Sequence, residues 1–160
     1  MAEELNFSQA EGEITDEMEN MYLNFSVGEE VYGIEIRHVL QIIGMQEITE
    51  IPESQMYMKG ITNLRGTITP VFCMRQRFGK FEDEYNDRTC IIVVMVGEKQ
   101  IGLIVDAIQE TTTIEPEYIS PQPAAGTGSE NPYIKGIARL PGDRIVVLIH
   151  AQKLFDVDNF

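Results

Sequence analysis

Residues 27–36 read VGEEVYGIEI and residues 96–105 read VGEKQIGLIV. The stretches lie 69 positions apart, and Val27, Gly28, Glu29 and Gly33 recur as Val96, Gly97, Glu98 and Gly102. The apolar positions Tyr32, Ile34, Ile36 and Val39 fall on Ile101, Leu103, Val105 and Ile108. A Gly-Glu pair between apolar, β-branched runs signals a hairpin, so each stretch predicts two strands joined by a tight turn. One such match could arise by chance. A second block in the same order argues against that: at an offset of 76, Tyr57, Lys59, Gly60, Ile61, Leu64 and Gly66 recur as Tyr133, Lys135, Gly136, Ile137, Leu140 and Gly142. The change of offset is absorbed by residues 120–132 (SPQPAAGTGSENP), whose Pro, Gly and Ser content marks an inserted loop. With one more residue inserted, Ile68–Cys73 align with Ile145–His150.

Outward from these blocks, each unit has the same grammar. A strand (Tyr22–Val27 or Cys90–Val96) enters the Gly-Glu turn and a second strand leaves it. A short apolar-periodic turn is expected next, at His38–Ile42 and at Ala107–Gln109. A Pro-punctuated connection then leads to two more strands, Gly60–Leu64 and Thr67–Phe72 in the first unit, Gly136–Leu140 and Arg144–Ile149 in the second. A short helix closes each unit, at Met74–Phe78 and Gln152–Phe155. Short β-branched strands with closely spaced Gly turns predict small barrels, because a closed barrel leaves no sheet edge open. The expected fold is all-β, with unit one spanning about residues 22–80 and unit two about 88–157.

The formal net charge is −14 over 160 residues. Residues 1–20 carry seven acids and no Lys or Arg, so half of that charge sits on a segment too polar to pack. Residues 1–19 are therefore expected to be a disordered acidic tail. The remainder is still acidic, which disfavours nucleic acid and anionic membrane surfaces, since both are bound through Lys and Arg. No apolar run is long enough to span a bilayer and the first residues lack the pattern of a secretory signal, so direct membrane insertion is not expected. Cys73 and Cys90 lie 17 positions apart with no CxxC, and only His38 and His150 accompany them. No metal or cofactor is expected from that set, and reduced thiols suit a cytoplasmic protein. Proteins remain as the expected partners.

At this point the residues resemble a family. Tyr32-Gly33-Ile34-Glu35-Ile36, then Lys59-Gly60-Ile61-Thr62-Asn63-Leu64-Arg65-Gly66 and Pro70-Val71, are similar to the CheW domain. Gly102-Leu103-Ile104-Val105-Asp106 and Gly136-Ile137 continue the match in order, so that the resemblance covers about residues 20–157. It implies two intertwined five-stranded SH3-like barrels. It also implies a non-enzymatic adaptor in bacterial chemotaxis, coupling the cytoplasmic hairpin tips of methyl-accepting chemoreceptors to the regulatory domain of the histidine kinase CheA. Such an adaptor is cytoplasmic and reaches membrane receptor arrays only through its partners. With no receiver or kinase segment following, the chain reads as a stand-alone CheW.

Arg65 is the first candidate for a partner contact. Its repeat counterpart is Pro141, while the flanking Leu and Gly are retained, so the turn serves both units and the guanidinium only one. The planar fork of Arg suits carboxylates and backbone carbonyls. The resemblance implies that this Arg, with Asn63 of the same motif, matters for signalling. It also implies that Ile36, Val39, Cys90 and Ile91 line a groove between the barrels that takes the receptor tip; of these, exposure in the groove is expected more for Val39 than for Cys90. Gln41 joins them at a position where the family often carries an acid. Cys73 and His150 occupy equivalent places before the two short helices, where the family commonly has Asp. Both are poorer helix caps than Asp, so weaker helix starts and no chemistry are expected. Asp106 and Glu35 are the remaining candidates, and Asp106 is expected to satisfy a local turn or cap.

Three rivals compete with this reading. One is a CheW-like scaffold of another chemosensory pathway, such as surface motility. A second is an OB- or SH3-like nucleic-acid binder, disfavoured by the acidic body and the absence of Trp. A third is a small enzyme with a site between the barrels, for which no nucleophile–base pairing or phosphate-binding glycine loop is found.

Overall fold

The computed structural model describes residues 5–6, 18–52, 56–82, 84–122 and 131–155. Most of the acidic tail and the centre of the inserted loop, residues 123–130, lie outside the described residues. The strands are β1 (Leu5–Asn6), β2 (Met21–Val27), β3 (Glu30–Glu35), β4 (Val39–Gly44), β5 (Met58–Leu64) and β6 (Thr67–Cys73) in the first half. Helix α1 (Met74–Arg77) follows, then β7 (Cys90–Val96), β8 (Lys99–Val105), β9 (Ala107–Thr113), β10 (Ile119–Ser120), β11 (Ile134–Leu140) and β12 (Arg144–Ile149). They form two sheets, ordered β1-β4-β7-β8-β6-β5 and β10-β11-β12-β3-β2-β9. Each is a five-stranded SH3-like barrel with one two-residue strand added.

The repeats and the barrels divide the chain differently. The first barrel takes β4, β5 and β6 from unit one but β7 and β8 from unit two, and the second barrel makes the reciprocal exchange with β2 and β3. The seams are parallel pairs, Val71 opposite Gly102 between β6 and β8, and Leu148 opposite Gly33 between β12 and β3. Parallel partners cannot be joined by a tight turn, and the barrels meet this differently: β4 to β8 follow one another in the first, while the second joins β2 and β3 to the distant β9 to β12.

Closure is the same in both barrels and explains the Lys-Gly-Ile repeat. Beyond β4 the chain returns to β5, where Thr49 and Ile61 exchange backbone hydrogen bonds of 2.8 and 2.9 Å. Beyond β9 it returns through β10, placing Ser120 opposite Ile137. A Cβ at Gly60 would stand 2.2 Å from the Thr49 carbonyl oxygen, and one at Gly136 2.8 Å from that of Ser120. Only glycine lets the closing segment approach this near.

Two expectations about local structure are corrected. His38–Ile42 is not a helical turn: a short 3-10 turn covers Ile36–His38 and the chain then runs extended through β4. Ala107–Gln109 likewise opens strand β9. β-Branched Val39, Ile42 and Ile43 gain more from pairing with β7 than from a solitary turn. The closing elements form where expected, α1 as four residues and its counterpart as a 3-10 turn, Ala151–Lys153. Neither Cys73 nor His150 makes a side-chain capping bond.

Three cores result. Ile43, Leu64, Val71, Ile91, Val93 and Ile104 fill the first barrel, and Tyr22, Ile114, Ala138, Leu140, Val146 and Leu148 fill the second. The largest lies between them and includes Phe25, Ile34, Phe72, Met74, Ile92, Leu103 and Leu154. Each such buried side chain contributes about 1.5–3 kcal/mol, so most of the hydrophobic stabilisation holds barrel to barrel. Arg77 sits against this core beside Tyr57, Tyr133 and Phe155, at 5.3, 4.4 and 5.9 Å from the ring centroids. Its Nε donates to the Leu154 carbonyl at 2.6 Å.

Candidate functional site

The candidate residues fall into an exposed hairpin and a buried set. In the β5–β6 hairpin Leu64 faces Thr67, leaving Arg65 and Gly66 as a two-residue loop with φ of 52° and 87°. A two-residue turn with both φ positive matches strand twist, and is ordinarily built from Asn-Gly or Gly-Gly. Arg65 is exposed and holds the left-handed conformation at a cost of about 1–2 kcal/mol. The Asn63 side-chain oxygen accepts the Gly66 N–H at 2.8 Å, so Asn63 braces the turn that displays Arg65. The equivalent turn in the second barrel is one residue longer, and there Gly142 and Asp143 take the positive φ values of 84° and 59°. Those residue types tolerate that conformation better, so Arg65 is not explained by the turn itself.

Ile68 was not among the expected site residues. It stands directly opposite Asn63 and is 59% exposed. Its counterpart Ile145 is 54% exposed. Both lie at the outer ends of strands whose alternate residues, Phe72 and Ile149, enter the core between the barrels. The period-2 pattern of TITPVFC could have revealed this, since Ile68 and Phe72 share a face. Cross-strand neighbours on one face act together, so Arg65, Asn63 and Ile68 offer charge, hydrogen bonding and apolar surface at one edge.

The buried set is placed differently from expectation. Ile36, Val39 and Cys90 are 4%, 3% and 1% exposed and belong to the core between the barrels, while Ile91 lies wholly inside the first barrel. Val39 does not stand exposed in a groove, because β4 lays it against β7 at Val94. Gln41, half-buried on the same strand, lies opposite Val93 on one side and Asn6 of β1 on the other. Hairpin β5–β6 and strand β4 occupy opposite ends of the strand order and are joined by the Thr49–Ile61 closure.

The remaining polar candidates hold the fold. Asp106 does not serve a local turn: its carboxylate accepts the Gly28 N–H at 2.8 Å and both Nε and Nη2 of Arg75 at 2.9 and 2.6 Å. It thereby ties the β2–β3 hairpin to α1 and to the end of β8. Glu35 contacts Lys135 at 3.0 Å and Arg37 at 2.6 Å, with His38 at 4.0 Å. Burial would raise the Glu35 carboxyl, but the hydrogen bond and charge of Lys135, with Arg37 and His38, outweigh it and hold the group below its usual range. Burial lowers both His38 and His150, favouring neutral imidazoles. Burial also raises the Cys73 thiol and pushes Cys90 up to about 11, so both are weak nucleophiles.

Among the described residues no cluster of His, Cys, Asp or Glu could hold a metal ion, and no helix is long and apolar enough to cross a membrane. The arrangement can present contact surfaces on a rigid frame.

Comparison with known proteins gives a consistent picture. The family model for the CheW-like domain matches residues 21–159. The chemotaxis protein CheW of Klebsiella aerogenes is 33% identical over 138 residues, which cover 86% of this chain and 82% of that protein. Protein FrzA of Myxococcus xanthus is 24% identical over 137 residues, or 85% of either chain. The crystal structure of the scaffolding protein TtCheW from Thermoanaerobacter tengcongensis superposes with a TM-score of 0.78 at 34% identity, covering 88% of this chain and 90% of that one. The internal duplication, the interlocked barrels and the Asn63–Gly66 turn thus converge on one assignment: the chain belongs to the CheW family of non-enzymatic chemotaxis scaffolds.

Proposed function

We propose that this chain couples the cytoplasmic hairpin tip of a chemoreceptor to the regulatory domain of a CheA-type histidine kinase, and that the β5–β6 hairpin makes the decisive contact. The observation carrying this reading is Arg65, exposed and held at φ 52° where glycine would be easier, beside the exposed apolar Ile68. Arg and a neighbouring apolar anchor form the usual centre of a protein contact. Gln41 supplies a second contact on β4, and Ile36, Val39, Cys90 and Ile91 shape that surface from beneath. The protein works in the cytoplasm and joins receptor arrays through its partners.

The test is assembly of a ternary complex from purified protein, receptor hairpin tip and kinase regulatory domain. Arg65→Glu should retain the wild-type circular dichroism spectrum and weaken assembly by about tenfold or more. Unaltered assembly would remove Arg65 from the contact, and failure of the native protein to bind either partner would overturn the coupling role. A second reading, a scaffold in a different chemosensory pathway, gains support from the likeness to FrzA. Preference for receptors of that pathway in the same assay would establish it.

A further inference from the structure

The segment that leads into β7 has a counterpart leading into β2. Before β7 runs an acidic connector, residues 81–89 (FEDEYNDRT), which folds back on the body. Its Glu82 pairs with Lys59 at 2.8 Å, and Glu84, Tyr85 and Asn86 line one small cavity with Cys73, Arg75 and Asp106. At the offset of 69 the connector corresponds to residues 12–20 (GEITDEMEN), where Glu13 takes the place of Glu82 and Asp16 and Glu17 follow. The surface beneath it recurs as well. Lys59 corresponds to Lys135, Cys73 to His150, Arg75 to Gln152 and Asp106 to Arg37.

The second of these surfaces is cationic. Arg37 and Lys135 share one carboxylate, Glu35, at 2.6 and 3.0 Å, while Lys153 is exposed and makes no ion pair among the described residues. His38 lies within 3.2 Å of Gln152, next to Lys153 in the chain. Burial, and then the charge of Lys135 among others, lowers both His38 and His150. On a chain of net charge −14 such a local excess of positive charge stands out. The described ends of the acidic tail both lead to it. Tyr22 stands opposite Glu35 in an antiparallel pair, so the residues before Tyr22 run alongside Ile36–His38, and Met18 packs against the core between the barrels. Asn6 stands opposite Gln41, also antiparallel, so the chain leaving Asn6 is directed toward His38.

We propose that this surface is a dock for an acidic extended segment, and that its occupant is the chain's own residues 11–19. They lie across Arg37, His150 and Lys135 as residues 82–89 lie across Asp106, Cys73 and Lys59. The acids Glu11, Glu13, Asp16 and Glu17 meet the positive charge that Glu35 alone leaves unbalanced, a charge complementarity that weakens with salt. The dock is separate from the Arg65 hairpin. An acidic segment of a partner protein reaches it only by displacing the tail.

The experiment compares nuclear magnetic resonance spectra of the isotope-labelled full chain with those of a full-length variant carrying Glu11→Gln, Glu13→Gln, Asp16→Asn and Glu17→Gln. At low salt the amide resonances of residues 36–38 and 150–153 should differ between the two and those of the Arg65 hairpin should not. The difference should vanish at about 1 M salt, where charges are screened within about 3 Å. His38 and His150 should titrate about half a pH unit lower in the variant, having lost nearby acids. A free peptide of residues 7–19 should bind the variant at least about tenfold more tightly than the wild type, whose tethered segment competes at high effective concentration. Adding Arg37→Gln and Lys153→Gln to the variant should weaken that binding. Coincident low-salt spectra, unchanged histidine titrations, equal peptide binding by the two proteins, or indifference to Arg37→Gln and Lys153→Gln overturns the proposal. A spectral difference that disappears on dilution places the tail of a second copy in the dock, and overturns the assignment to the chain's own segment.

Discussion

Removing the Asp106 carboxylate tests how the two barrels are held in register. In Asp106→Ala three hydrogen bonds disappear, two from Arg75 and one from the Gly28 N–H, spanning 31 and 78 residues of sequence. A hydrogen bond to a charged group contributes about 1.5–3 kcal/mol. The three are not additive, and the side chains of Arg75 and Asp106 are 24% and 25% exposed, so water recovers part of the loss. The expected destabilisation is about 2–4 kcal/mol, or roughly 5–12 °C in Tm for a chain of this length. Urea unfolding followed by circular dichroism gives the free energy. Asp106→Asn, which keeps an acceptor for Gly28 but loses the charge, should fall about halfway. Paired with Arg75→Ala in a double-mutant cycle, Asp106→Ala should show a coupling of about 1 kcal/mol or more. A cost within about 0.5 kcal/mol of zero, typical of an unconstrained surface position, would refute the inference that Asp106 fastens the hairpin to α1.

Three other outcomes follow from the same structure. Gly136→Ala places a methyl 2.5 Å from Ile119 Cγ2 and 2.8 Å from the Ser120 carbonyl oxygen, and should cost about 1–3 kcal/mol while opening the β10–β11 closure, seen as faster amide exchange at Ile137. Residues 1–80 and 88–160, prepared separately, should each be unfolded by circular dichroism, because neither half contains all the strands of a barrel; a folded half would contradict the strand exchange. Stability should decline as pH falls below 6.5, the ordinary histidine value. The unfolded chain protonates its histidines there, while burial keeps His38 and His150 neutral, so protons bind preferentially to the unfolded state. Glu35 adds a further loss below the normal carboxylate range, because its lowered value favours folding only while it is ionised. A His38→Gln, His150→Gln variant should lose the first phase and keep the second.

Much of this fold could be read from the chain because a duplication states each rule twice. Gly60 and Gly136 recur at one offset for one physical reason, the close approach of a closing strand. The hairpins around Gly28 and Gly97 were legible from local turn chemistry alone. Which hairpin completes which barrel was not, since internal similarity gives equivalence between segments and not contact between them. Asp106 shows the limit most clearly: its partners lie 31 and 78 residues away, so a reading from its neighbours finds only a turn. Val39 shows another limit, because alternation along β4 says which residues share a face but not whether the other barrel covers it. Ile68 failed in the opposite sense, an apolar residue beyond the reach of the covering barrel.

The exchange of hairpins also has a mechanical meaning. Two domains packed only through side chains can hinge or slide, and such motion is the ordinary expectation for barrels of this size. Here the chain itself crosses between the barrels twice, from β3 to β4 and from β8 to β9, and a shared apolar core lies between them. A force that pulls the two barrels apart meets those two covalent crossings and the core between the barrels. The two barrels are therefore expected to keep a fixed spacing and angle, as the arms of a stiff bracket do.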